Sequence, residues 1–144
     1  MRVDFYQLSR DPVEAVVALL ADKTLAAGKR LLVVAEDDAR LEKVSGALWG
    51  RGAEGFLANG RAGGPHDARQ PVLLSDTIAP ANGAQFVALA DGQWREADGF
   101  ERVFMVFDDS TISAARTCWT MLGGREGVER RFWKQQDGRW IEAG

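Results

Sequence analysis

Apolar residues in the first third of the chain recur at helical spacing. In DPVEAVVALLADKTLAAGKR, Val13, Val16, Val17, Leu20 and Thr24 fall on one face of a 3.6-residue period. The segment carries its own start and stop: Asp11 to cap the first turn, Pro12 at the first helical position, Glu14 three residues after the cap, and Gly28 as terminator. LLVVA, from Leu31 to Ala35, is apolar, too short for a helix and without polar alternation, so it predicts a strand buried on both faces. A second helix follows in DDARLEKVSGALWG, with Asp37 and Asp38 at its start, a stripe through Leu41, Val44 and Leu48, and an exit at Gly50 and Gly52.

Gly60 to Gln70 reads as a loop rich in glycine, proline and charge. PVLLS, QFVALA and ERVFMVFDD then predict three more strands, around Val72, Phe86 and Phe104, and a last helix begins near Ser110. At the end, RRFWKQQDGRWIEAG predicts a short hairpin near 130–142, with Asp137-Gly138 suited to a type I′ turn. Helices alternating with short, continuously apolar strands require crossover connections. The expected fold is therefore α/β and Rossmann-like: three layers, a mainly parallel sheet and helices on both faces. With no repeat or linker, residues 1–144 are expected to form a single domain, long enough to bury roughly 70% of the unfolded chain's surface.

Charge narrows the function. Lys and Arg number 18 against 21 Asp and Glu, and a net charge of −3 argues against coating nucleic acid, which needs a large cationic surface. A lone Cys118 forms no internal disulfide, and with a lone His66 it assembles no Cys/His zinc site; both suggest a reducing, cytoplasmic setting. MRVDFYQL lacks the basic start and apolar run of a signal peptide, and no stretch approaches the roughly 18 apolar residues of a membrane span.

Catalytic chemistry finds little support. A nucleotide site would place glycines between the first buried strand and its helix, where backbone amides approach phosphate; LLVVAEDDARLEK has none there. GRAGGPHD lacks the Lys-Ser/Thr of a phosphate loop and precedes a strand. Asp37-Asp38 and Asp108-Asp109 both follow strands, so they permit either a magnesium-dependent phosphoacceptor or phosphotransfer site, or capping of the helices they precede. Capping is the expected role, with Asp38 and Asp109 as the members whose loss matters. ERVFMVFDDS offers no lysine of the kind a receiver domain needs, and a serine triad would have to recruit His66 from a glycine-rich loop.

Against this mildly acidic chain, ARTCWTMLGGREGVERRFWK stands out: Arg116, Arg125, Arg130, Arg131 and Lys134 are interleaved with Trp119, Phe132 and Trp133. On the last helix, Thr111, Ala114, Ala115, Cys118, Met121 and Leu122 gather on the expected core face, with Cys118 as a small buried hydrophobe. Ile112 and Trp119 lie about a quarter turn from its centre, and Arg116 and Thr120 lie opposite. Trp119 beside Arg116, near Arg130 and Arg131, suits a peptide carrying carboxylates and an aromatic side chain.

FYQL at Phe5 to Leu8, GKRLLVVAEDD at Gly28 to Asp38, ALWGRGAEGFL at Ala47 to Leu57, QPVLLS at Gln70 to Ser75, FERVFMVFD at Phe100 to Asp108 and ARTCW, in that order and spacing, resemble the chi subunits of bacterial DNA polymerase III. The resemblance implies a non-enzymatic α/β subunit without nucleotide, metal or cofactor, which binds the acidic C-terminal tail of single-stranded DNA-binding protein. That tail ends in Pro-Phe. It further implies coupling to the clamp loader through a psi subunit, contact with DNA only through partners, and existence as a monomer or a heterodimer with psi in the bacterial cytoplasm, at the nucleoid-associated replisome.

On this resemblance Ile112, Arg116, Trp119, Thr120, Arg130 and Arg131 are the expected tail-binding residues, with Arg116 on the terminal carboxylate and Trp119 against the aromatic end. Trp49, Phe56 and Leu57 are the expected psi or clamp-loader surface, although Trp49 suits a core position at the end of the second helix equally well. Ile112 and Thr120 stand where family members can carry basic residues, Ala58-Asn59 where Pro-His is common, and KQQDGRWIEAG continues past shorter members.

Overall fold

A computed structural model describes residues 1–50, 57–136 and 139–143. Its elements are β1 (Arg2–Gln7), α1 (Val13–Ala26), β2 (Leu31–Val34), α2 (Asp38–Trp49), β3 (Asn59–Arg61), β4 (Val72–Ser75), β5 (Phe86–Leu89), β6 (Arg102–Phe107), α3 (Ile112–Gly123), β7 (Glu129–Gln136) and β8 (Arg139–Glu142). The described strands form one sheet in the order β3-β4-β2-β5-β6-β1-β7-β8. Every neighbouring pair is parallel except the terminal hairpin β7-β8, so the mainly parallel α/β architecture is the one the apolar runs predict.

One face of the sheet is covered by α1 and α2. Val16, Val17 and Leu20 from α1 and Leu41, Val44 and Leu48 from α2 pack over the Leu31, Val33, Val72 and Val106 side. Gly28 ends this layer's first helix with φ +76°, the left-handed conformation that glycine adopts without steric cost. The opposite face is covered by α3 together with two irregular crossovers, from which Ile78, Ala84, Trp94, Ala97 and Phe100 pack inward. Helix layers on both faces are thus present, but only one helix serves the second face because the β4-to-β5 and β5-to-β6 connections cover it as irregular chain.

Three local differences from the sequence expectations have physical causes. The pattern assigns no strand to the start of the chain, yet β1 lies between β6 and β7. Asp4 interrupts its apolar run and is fully buried, accepting hydrogen bonds from Arg2 Nη2 at 3.0 Å, Arg102 Nε at 2.7 Å and Trp133 Nε1 at 3.0 Å. Asn59–Arg61, at the edge of the expected loop, adds a short strand beside β4 without any apolar residue to announce it. α1 starts at Val13 with Pro12 extended before it, and the Asp11 carboxylate accepts from Gln135 Nε2 instead of capping the helix.

The capping members of the Asp pairs also differ from expectation. Asp37, not Asp38, is the cap of α2 and accepts from the Ala39 amide at 2.9 Å, while Asp38 makes an exposed ion pair with Arg61 at 2.7 Å. Asp108, not Asp109, organises the approach to α3, accepting from the Ser110 amide at 2.9 Å and from the Ser110 hydroxyl. The Ser110 hydroxyl is the main cause holding the Asp108 carboxyl below its usual pKa. Urea unfolding should show Asp37→Ala about 1 kcal/mol less stable than the parent, as for other lost caps. Asp38→Ala should lie within about 0.5 kcal/mol, because an exposed ion pair contributes little. Equal losses would refute this assignment of the cap.

Candidate peptide groove between the last helix and the seventh strand

The buried side of α3 is formed by Ala115, Cys118 and Leu122, with Ile112 and Trp119 packed partly against the same core. Met121 is 40% exposed and Ala114 is exposed, so the inward face is turned from the sequence expectation toward Ile112 and Trp119. The cause is β7. Phe132 meets Trp119 edge to face with ring centres 5.7 Å apart, and Phe5 meets it at 5.2 Å, which draws the Trp119 flank toward the sheet. Burial pushes the Cys118 thiol up to about 11, consistent with its expected role as a small hydrophobe.

Alternation along β7 divides its side chains between the two faces of the sheet. Phe132 joins the α3 side, whereas Trp133 packs on the α1 side and donates to Asp4. Arg130 and Lys134 share the Phe132 side and, with Ile112, Arg116, Trp119 and Thr120 from α3, line a groove of about 720 Å³. Phe107 and Phe132 meet edge to face at 5.8 Å between ring centres at its apolar floor, and Gln7 and Ala143 complete its lining.

The basic residues of the terminal stretch have different environments. Arg125 forms two hydrogen bonds with Glu96, at 2.7 and 3.0 Å, and this contact is the main cause lowering the Glu96 carboxyl pKa. Arg131 lies on the reverse side of β7 and pairs with Glu129 at 3.6 Å and Glu142 at 3.7 Å. Arg116, Arg130 and Lys134 line the groove and make no ion pair among the described residues. The groove therefore combines three cations that no carboxylate of the described residues pairs with and an aromatic and aliphatic floor.

Five expected tail residues, Ile112, Arg116, Trp119, Thr120 and Arg130, meet in this groove, and Arg131 does not. Gln7, Phe107, Phe132, Lys134 and Ala143 also line it and are not among the expected tail-binding residues. Reading the RRFWK segment with a two-residue period would have grouped Arg130 and Lys134 and separated them from Arg131. Gln7 and Phe107 come from β1 and β6 and carry no local signal. Trp140 lies on the other face, against Tyr6 with ring centres 5.1 Å apart, so it neither covers nor extends the groove.

At the other end of the sheet, Trp49 is 50% exposed at the end of α2, which excludes the core alternative for that residue. Leu57 is partly buried against the α1/α2 core, and its amide donates to the Leu48 carbonyl at 2.6 Å. Phe56 and the Asp137-Gly138 turn lie outside the described residues. Among the described residues, no group of three or more His, Cys, Asp or Glu is placed to hold a metal ion, and no helix is long and apolar enough to cross a membrane.

No curated protein matches the sequence closely enough to add to this picture. A family profile does: that of the DNA polymerase III chi subunit, HolC, matches residues 1–139 of the 144. This nearly full-length match makes the chain a member of the DNA polymerase III chi subunit family.

Proposed function

We propose that this member of a DNA polymerase III accessory-subunit family is a non-catalytic adaptor, a single domain that binds the acidic C-terminal tail of single-stranded DNA-binding protein in the α3–β7 groove. The observation carrying this reading is the set of cations Arg116, Arg130 and Lys134, which make no ion pair among the described residues, around a floor of Ile112, Phe107 and Phe132. Guanidinium groups take carboxylates through paired, charge-assisted hydrogen bonds, and an apolar floor receives a terminal aromatic ring. An acidic tail ending in Pro-Phe offers both complements. Contact with DNA is then indirect, and the protein acts in the cytoplasm at the replisome without a cofactor.

Calorimetric titration with a short peptide of aspartates ending in Pro-Phe tests the reading. Saturable binding that weakens with added salt supports it, because part of the attraction is screened. No binding at millimolar peptide would end it.

The clamp-loader link runs, on this proposal, through psi at the exposed end of α2, with Trp49 as its anchor and Leu57 beside it. Exposed aromatics are frequent interface anchors. Trp49→Ala should leave tail-peptide affinity nearly unchanged while weakening association with a psi–clamp-loader complex at least tenfold in a pull-down titration. Unchanged association would remove Trp49 from that surface. As isolated chain the protein is then a monomer, and with psi a heterodimer.

A further inference from the structure

Arg130 sits in a seat with three sides. Its guanidinium lies 4.1 Å from the centre of the Trp119 ring, within cation–π range. Its Nη1 donates to the Trp119 carbonyl at 2.6 Å, close to the C-terminal end of α3, where a positive charge is favoured by the helix dipole. Gly123 forms the third side. A Cβ at that position would stand 2.7 Å from Arg130 Cζ and 2.8 and 2.9 Å from Nη1 and Nη2, so only glycine leaves the guanidinium its place.

Two consequences follow for a ligand in the groove. The Arg130 guanidinium occupies a face of the Trp119 ring, so an incoming aromatic ring has the Ile112, Phe107 and Phe132 floor instead. Arg130 also keeps Nε and Nη2, one side of its planar fork, free of hydrogen bonds among the described residues, and that side matches a carboxylate. Its rotamer freedom is already spent in forming the seat. Arg116, exposed and without such a seat, must order its side chain when it binds.

Resting on the tail-binding reading above, we infer that Arg130 is the specificity-determining residue of the groove: a preorganised guanidinium that selects the peptide's terminal carboxylate. Arg116 then attracts the acidic side chains upstream of that end. This division of roles differs from the sequence expectation, which gave the terminal carboxylate to Arg116.

The test compares two peptides of three aspartates ending in Pro-Phe, one with a free terminal carboxylate and one amidated, against the full-length protein. Wild type should prefer the free acid about tenfold, a factor in reach of one charge-assisted pair. Arg130→Gln should reduce that preference below about twofold and bind the amide about as wild type does. Gly123→Ala should do the same while keeping every charge, because the added methyl displaces only the far end of a flexible side chain. Its melting temperature and circular dichroism report that the fold is kept. Arg116→Ala should weaken both peptides alike and retain the tenfold preference.

A full preference surviving in either Arg130→Gln or Gly123→Ala overturns the assignment while leaving tail binding standing, as does a preference lost in Arg116→Ala alone. Failure of wild type to bind either peptide sinks the tail-binding reading and this assignment together.

Discussion

Asp4→Ala should lower the unfolding free energy by about 3 kcal/mol, at the lower end of the loss seen when one member of a buried ion pair is removed. The carboxylate is fully buried and joins three elements: Arg2 on β1 itself, Arg102 on β6 and Trp133 on β7. Removing it leaves the Trp133 Nε1 donor, on a partly buried ring, without that partner, at part of the desolvation cost of an unmet hydrogen bond. It also leaves two guanidinium groups without their shared partner. Those side chains are 30% and 27% exposed, so water recovers part of their solvation, which places the estimate at the low end. Arg102 keeps its contact with the Phe104 ring at 4.8 Å.

Asp4→Asn retains the acceptor facing Trp133 and should lose roughly half as much. Urea unfolding of the two variants measures both values. A loss below about 1 kcal/mol for Asp4→Ala would show that the cluster reorganises freely and does not hold β1 to its neighbours. The same contact bears on the groove. Trp133 on one face of β7 is tied to Asp4, and this orientation leaves Phe132 and Arg130 on the other face.

Asp4 also marks where the sequence pattern stops being legible. The strands around Leu31, Val72, Phe86 and Phe104 are readable because a doubly covered parallel strand is apolar throughout. β1 has the same environment but carries a charge in its middle, and two of the three partners that make the charge tolerable, Arg102 and Trp133, lie about 100 residues or more away. α1 is readable in its face and its glycine stop, since both depend on residues within the segment. Its first residue is not, because Gln135 from the far end of the chain engages Asp11.

The groove divides in the same way. Ile112, Arg116, Trp119 and Thr120 follow one another at helical spacing, so their common flank is visible before any fold is known. How that flank meets the sheet is not visible, because the rotation of α3 is set by Phe5 and Phe132 from two strands. Arg130 depends on still more distant information: its seat needs a strand residue, an indole and the absence of a side chain at Gly123 to coincide. Family resemblance reaches the shared fold and the helix flank. The meeting of a β7 cation with a glycine at the helix end is set by packing between elements and has no signal within either segment.

Arg116→Ala should weaken binding of the acidic Pro-Phe peptide by about 2 kcal/mol, roughly thirtyfold. Its guanidinium is exposed and makes no ion pair among the described residues, so the folded protein's stability should change by less than about 0.5 kcal/mol. Trp119→Ala is the poorer test of the same groove, because that ring also packs on Phe5 and Phe132 and its loss would disturb the core. For Arg116 the effect has a second signature. An exposed cation acts partly through long-range attraction, so raising salt from about 50 to 500 mM should weaken wild-type binding more than it weakens Arg116→Ala binding. The two titration curves should therefore converge as salt rises. Parallel curves, with the thirtyfold gap unchanged, would mean that Arg116 acts through a closely desolvated contact instead of steering. A gap of less than about threefold at low salt would remove Arg116 from the binding groove altogether.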